Sequence, residues 1–201
     1  MVTGTGTGVA VLALQGDFEA HRRALDEIGV ESFEAKRPGD LAAASGLVIP
    51  GGESTTLWKF FEAEPWAEAF RALADAGLPI LGTCAGAIVL ARDVSNPPQP
   101  GLALIDIGIE RNAYGRQVDS FVADVACPAL GGAVAAVFIR APRIRRLGKG
   151  VEVLATYEGE PVLVRQASVV AATFHPELTA DRRLHRSLFG RAGDSRERRS
   201  A

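Results

Sequence analysis

The sequence holds only two cysteines, Cys84 and Cys127, among 201 residues. Two thiols cannot build a disulfide framework, so a disulfide scaffold is excluded and a reducing, cytoplasmic setting is expected. Long apolar runs are missing too. None approaches the roughly 20 residues that span a bilayer, and no basic, signal-like segment precedes the first apolar stretch. Charge of one sign is not in excess. A formal net charge of −2 gives no bulk attraction to nucleic acid or to a membrane surface. Histidine is nearly as scarce as cysteine, with only His21, His175 and His185 available for imidazole chemistry. No internal repeat is present. The chain does have the composition of a globular domain, 47% apolar and 23% charged, at a length that suits one domain with a substantial core.

The apolar runs alternate with helical patterns. Val9–Leu14 is a continuous apolar run, as a central parallel strand requires. A helix is expected over Phe18–Ile28, a weaker strand over Val30–Ala35, a short helix capped by Asp40 over Leu41–Ala44, and a buried strand at Leu47–Ile49. A Gly-rich turn leads to helices near Leu57–Phe61 and over Trp66–Ala76. A fourth strand, Leu78–Leu81, then runs into a helix over Ala87–Arg92. This order predicts an α/β fold with a doubly wound sheet. Asn96–Gly101 is a Pro-rich loop. Beyond it lie strand-like runs at Leu104–Ile109, Phe121–Ala126, Ala133–Ile139, Val151–Tyr157, Val162–Gln166 and Val169–Phe174, a mixed, antiparallel extension of the same domain. A helix over Asp181–Phe189 closes it. The expected organisation is a flexible N-terminus over 1–8, one domain over 9–190 and a flexible tail over 191–201.

Gly82-Thr83-Cys84-Ala85-Gly86 joins the fourth strand to a helix. A nucleophile at such a junction needs neighbours without bulky side chains, and the helix start behind it offers free N–H groups to an oxyanion. The same stretch also fits a buried, inert cysteine in a Gly-rich turn. Phe174-His175-Pro176-Glu177 tilts the balance. It follows the last buried strand, where His175 can serve as base and acid and Glu177 can orient its ring. Pro176 is expected to keep this link stiff and extended. His21, among Glu19, Arg22 and Arg23, and His185, in an Arg-rich helix, read as solvated-face residues. Gly51-Gly52-Glu53-Ser54 ends the third strand. Its backbone N–H groups, with that of Ala85, can form an oxyanion hole. A phosphate-binding P-loop is excluded, since no Gly-Lys-Ser/Thr follows. Cys127, before Pro128, has no helix start or base beside it and reads as structural.

With its elbow at Cys84 and its His175-Pro176-Glu177, the chain resembles the class I, triad-type glutamine amidotransferases. Leu14-Gln15-Gly16, Pro50–Thr56, Glu110-Arg111-Asn112-Ala113-Tyr114-Gly115-Arg116-Gln117 and Phe138-Ile139-Arg140-Ala141-Pro142 narrow the likeness to the glutaminase subunits of pyridoxal 5′-phosphate synthase, from about Val9 to Phe189. Ala87 is smaller than the residue expected after the elbow glycine, and the termini depart from the pattern. The resemblance implies a flavodoxin-like fold, with Cys84, His175 and Glu177 as a catalytic triad. It further implies an oxyanion hole at Gly52 and Ala85, and glutamine contacts from Gly52, Glu53, Ser54, Arg111, Ile139 and Arg140. Gln15 would couple the site to a partner. That partner would be a TIM-barrel synthase subunit that receives the ammonia. Neither metal nor cofactor is implied, and no nucleic acid or membrane partner.

Three other readings compete. Another amidotransferase glutaminase should lack the Arg111–Gln117 and Phe138–Pro142 runs. A cysteine sensor or chaperone would not need His175-Pro176-Glu177 with the Gly-rich turn. A cysteine peptidase would need an open groove.

Overall fold

The computed structural model describes residues 7–113 and 120–190. Most of residues 1–8, the tail 191–201 and Tyr114–Gln117 of the Arg111–Gln117 run lie outside the described residues. Gly8, placed in the N-terminal segment by sequence, is the first residue of a strand.

Twelve strands and five α-helices make up the described chain. The first half contains β1 (Gly8–Leu12), α1 (Phe18–Asp26), β2 (Ser32–Ala35), β3 (Ala44–Ile49), α2 (Ser54–Ala63), α3 (Trp66–Asp75), β4 (Ile80–Thr83) and α4 (Ala85–Leu90). The second contains β5 (Ala91–Ser95), β6 (Ile105–Glu110), β7 (Phe121–Cys127), β8 (Gly132–Phe138), β9 (Arg143–Leu147), β10 (Glu152–Tyr157), β11 (Glu160–Gln166), β12 (Val169–Ala172) and α5 (Arg183–Phe189).

Nine strands form one sheet in the order β2-β1-β3-β4-β12-β11-β10-β7-β8. The first five run parallel, in the doubly wound order of a flavodoxin-like sheet. From β12 outward the pairing turns antiparallel. This is the expected sheet with its antiparallel extension. The parallel strands read as unbroken apolar runs because both faces are covered. Ala10, Leu12, Leu47, Ile49, Ile80, Val169 and Ala171 point into the core beneath α2, α3 and α4. Val9, Val11, Val48, Leu81, Val170 and Ala172 point into a second core on the α1 and α5 side.

Several expected elements shift. The elbow helix stops at Leu90 rather than Arg92, because Ala91–Ser95 pairs in parallel with β6. β9 was not expected at all. It completes a separate sheet, β5-β6-β9, in which Arg145 and Arg146 pair with Glu110, Glu160, Asp93 and Asp106. Asp40 does not open a helix over Leu41–Ala44. It sits inside a 3-10 segment, Pro38–Ala43, and its carboxylate accepts from the N–H groups of Lys36 and Arg37. α2 starts three residues early, at Ser54, with Glu53 as its N-cap.

Candidate active site

Four carboxyl ends of parallel strands meet at one rim of the sheet, where an open α/β sheet places its ligands. Cys84 follows β4, and its N–H donates to the Ala172 carbonyl of neighbouring β12 (2.8 Å). Its backbone is forced to φ 48°, ψ −104°, a region that costs a non-glycine residue roughly 1–3 kcal/mol. The flanking glycines make this turn possible. A Cβ on Gly86 would run into the Ile49 carbonyl oxygen, and one on Gly82 would lie 2.7 Å from the Gly86 carbonyl group. Ala85 opens α4, so its N–H is a first-turn donor with no acceptor inside the helix.

His175 follows β12 and is tied to β8, its N–H donating to the Val137 carbonyl at 2.8 Å. The link to Glu177 is a 3-10 turn over Pro176–Leu178 rather than the extended connection expected from Pro176. That turn folds the carboxylate back so that Glu177 Oε1 meets His175 Nδ1 at 2.7 Å. Glu177 is buried and His175 nearly so. Burial pulls the His175 pKa down, but Cys84 and Glu177 outweigh it, and the pKa is raised from 6.5 to about 10. The imidazole therefore favours the protonated form beside Cys84, as a thiolate–imidazolium pair demands. Gly51 lies beneath both side chains. A Cβ there would overlap His175 Cε1 and sit 3.3 Å from Cys84 Cβ.

The thiol opens into a pocket of about 360 Å³ lined by Gly52, Glu53, Ser54, Cys84, Ile88, Arg111, Asn112, Ile139, Arg140 and His175. All six residues implied as glutamine contacts are there. Arg111 is buried; its guanidinium bonds Glu53 Oε1 (3.3 Å) through one nitrogen, and its Nη1 has no partner among the described residues. An orphaned guanidinium nitrogen beside a nucleophile suits a carboxylate ligand. Ser54 Oγ donates to Gln99 Oε1 (3.1 Å), and Cys84 Sγ faces the Ile139 carbonyl at 3.9 Å. Arg140, at φ 43°, lies exposed at the rim. Gly52 adopts φ 142°, and the Gln15 side chain packs where its Cβ would stand. Gln15 Oε1 accepts from the Glu53 N–H at 2.9 Å, so Gln15 grips the turn that carries Gly52.

Two lining residues, Asn112 and Ile88, were given no role from sequence. Ile88 sits four residues after Cys84, and that helical spacing was the available signal. A larger groove of about 710 Å³ runs along α1 and β2, but it contains no thiol, and its Arg22 is paired with Glu34. Among the described residues, no cluster of His, Cys, Asp and Glu could hold a metal ion, and no helix is long and apolar enough to cross a membrane.

His21 and His185 overturn the solvated-face expectation. Both are fully buried on the α1–α5 side, 3.0 Å apart through His21 Nδ1 and His185 Nε2. Cys127 is buried in the core, and burial pushes its thiol pKa up.

Known proteins resemble this chain along most of its length. The description "SNO glutamine amidotransferase family" matches residues 11–194. A protein of Thermus thermophilus named "Pyridoxal 5'-phosphate synthase subunit PdxT" is 51% identical over 187 residues, covering 92% of this chain and 97% of that protein. A protein of Koribacter versatilis with the same name is 50% identical over 177 residues, covering 88% and 91%. A solved structure described as "Crystal structure of glutamine amidotransferase" superposes with a TM-score of 0.85 at 48% identity, covering 90% of this chain and 96% of that one. PurLQS from Thermotoga maritima, at 16% identity and a TM-score of 0.71, shares the fold.

Proposed function

Because the chain belongs to the SNO glutamine amidotransferase family, we propose that it is the glutaminase subunit of a pyridoxal 5′-phosphate synthase. It hydrolyses L-glutamine to L-glutamate and delivers the ammonia to a synthase subunit. The observation that carries this is the opening of the Cys84 thiol and the Glu177-backed His175 into one pocket with the Arg111 guanidinium, whose Nη1 has no partner among the described residues.

In this reading the Arg111 guanidinium takes the substrate α-carboxylate, and Glu53 takes the α-ammonium. Glu53 thereby exchanges its ion pair with Arg111 for one with the ligand. The Cys84 thiolate attacks the side-chain amide carbon, and the carbonyl oxygen becomes an oxyanion held by the N–H groups of Gly52 and Ala85. His175 passes its proton to the amide nitrogen, the C–N bond breaks, and ammonia leaves behind a γ-glutamyl thioester. His175, now neutral, takes a proton from water, which attacks the thioester and releases glutamate and the thiolate. Glu177 keeps the His175 ring in register throughout. Ser54, Ile139 and Arg140 complete the pocket wall around glutamine.

Ammonia released into open water would be protonated and lost. A TIM-barrel synthase docked over the rim would receive it directly. Gln15 is suited to report that docking, since it abuts Gly52 and holds the Glu53 N–H. The test is glutamate release from glutamine with and without the synthase subunit, for the wild type and Cys84→Ala. Synthase-stimulated release that Cys84→Ala abolishes is expected. A wild-type chain that releases no glutamate with the synthase present overturns the reading.

A further inference from the structure

Glu177 has two carboxylate oxygens, and His175 uses one. The other, Oε2, is buried and makes no aligned hydrogen bond among the described residues. Facing it at 3.3 Å is His21 Nε2, from α1 on the other side of the turn. The same nitrogen lies 3.1 Å from the hydroxyl of Thr83, the residue before the nucleophile. His21 thus touches the third member of the triad and the backbone neighbour of the first, without reaching the pocket itself.

The chemistry of these neighbours selects one tautomer. A carboxylate only accepts hydrogen bonds, whereas a hydroxyl donates or accepts. A bare Nε2 would set its lone pair against the Glu177 oxygen in a buried site. An Nε2–H bonded to Thr83 Oγ1 instead turns its positive edge toward Oε2, 3.3 Å away. Nδ1 must then accept, and His185 Nε2 stands 3.0 Å away to donate to it. This leaves His185 Nδ1 as a bare acceptor, and it is a buried atom with no partner among the described residues. The reverse assignment would bury an unpartnered N–H there, a costlier orphan.

We propose that His21 is a positioning residue for the reaction at Cys84: as the Nε2–H tautomer it sets that N–H against the Glu177 carboxylate from the side opposite His175, and His185 fixes that tautomer. The array thus extends Cys84–His175–Glu177 to His21 and His185, joining α1 and α5 to the triad. The charged and titratable groups around it are Glu177 and His175 beyond the 3-10 turn, Arg182 ahead of α5, and Glu27 after α1. Arg182 and Glu27 pair with each other at 2.6 Å. Burial, then the charges of His185, His175 and Arg182, hold the His21 pKa well below 6.5, so a neutral donor is the form present at neutral pH. The inference rests on the glutaminase reading only for its catalytic consequence.

The direct test needs no substitution. Nitrogen-15 NMR of the wild-type chain distinguishes imidazole tautomers, and three histidines make assignment simple. Neutral Nε2–H forms of His21 and His185 near neutral pH are expected. An Nδ1–H or protonated His21 overturns the proposal. The kinetic test compares His21→Gln, whose amide nitrogen reaches the Nε2 position, with His21→Asn, whose amide stops at the Nδ1 position. Assayed with the synthase subunit, His21→Gln should keep kcat within about 3-fold. His21→Asn should lose about 10- to 100-fold in kcat with KM for glutamine unchanged, the cost of leaving a buried carboxylate oxygen without a polar neighbour. The alkaline limb of its pH profile should also move to lower pH, as His175 loses a fixed carboxylate partner. Equal kcat in both variants, whether normal or impaired, removes the positioning role. A wild type inactive with its synthase instead removes the glutaminase reading, and the tautomer measurement still stands by itself.

Discussion

Gly51→Ala tests whether the reactive pair depends on what lies beneath it. Gly51 is not in the left-handed region, so alanine fits the backbone, and the effect comes from the methyl group alone. A Cβ there overlaps His175 Cε1 and stands 3.1 Å from Nδ1, inside the roughly 3.5–4.0 Å of ordinary carbon contact. The ring must give way by about 1 Å to restore normal packing. It cannot swing freely, because its backbone N–H is held by Val137 and its Nδ1 by Glu177. Overpacking of this kind costs about 1–3 kcal/mol, offset by about 0.4–1 kcal/mol from the stiffer unfolded chain. The melting temperature should therefore fall by only a few degrees, at roughly 2–4 °C per kcal/mol for a domain of this size. Activity should suffer far more. A misplacement of about 1 Å between reacting groups can cost about 100-fold in rate. The residues proposed to hold glutamine are untouched, so kcat should drop about 100-fold while KM stays within about 2-fold. Glutamate release with the synthase subunit gives both constants. Alkylation of Cys84 by a glutamine-analogue electrophile reports the thiolate separately and should slow in parallel. Gly39→Ala, where a Cβ meets open space and the backbone is not left-handed, is the control and should leave kcat unchanged. A Gly51→Ala chain with wild-type kcat would refute the claim that His175 and Cys84 are fixed against each other over this glycine.

Three further outcomes follow from the same geometry. Arg111→Gln should raise KM for glutamine about 10- to 100-fold, the worth of a charge-assisted hydrogen bond in a buried site, with a much smaller change in kcat; an unchanged KM would take the α-carboxylate away from Arg111. The kcat/KM profile should fall as pH rises through about 10, where His175 loses the proton it is proposed to give to ammonia, and since that pKa is raised on folding, its contribution to stability is complete below about 6.5 and lost as pH rises from there through about 10. The buried His21 and His185 act with the opposite sign. His185 is lowered from 6.5 to about 4 by burial first and Arg182 second, so the unfolded chain binds its proton first, and roughly 3 kcal/mol of stability is lost as pH falls from 6.5 to 4. Urea titrations at neutral and acid pH should show that loss, and His185→Gln should flatten it.

What the sequence made legible depends on whether the cause of a feature is local. β1, β3, β4 and β12 announce themselves as unbroken apolar runs because each is covered on both faces, and the elbow glycines announce the turn because no Cβ fits beside Ile49 and Leu90. β9 gave no such sign. Of Arg143-Ile144-Arg145-Arg146-Leu147 only Ile144 is buried, and the strand holds its place through carboxylates far away in sequence. The end of α4 was equally hidden, since the apolar run continues through Ala91 and only pairing with β6 decides where the helix stops. The buried histidines are a different case. Their charged neighbours suggested a wet surface, yet the spacing said otherwise. Phe18, His21, Leu25 and Ile28 recur at the three- and four-residue steps of one helix face, and Leu25 is fully buried on it. His185 likewise stands three and four residues before Leu188 and Phe189, which pack on the same core. A histidine on an apolar stripe must find a polar partner inside the protein or destabilise it. Here α1 and α5 supply each other's partner and share it with Glu177. The helical period therefore outweighs neighbouring charge as a guide to burial, and it leads from two unremarkable histidines to the back of the proposed triad.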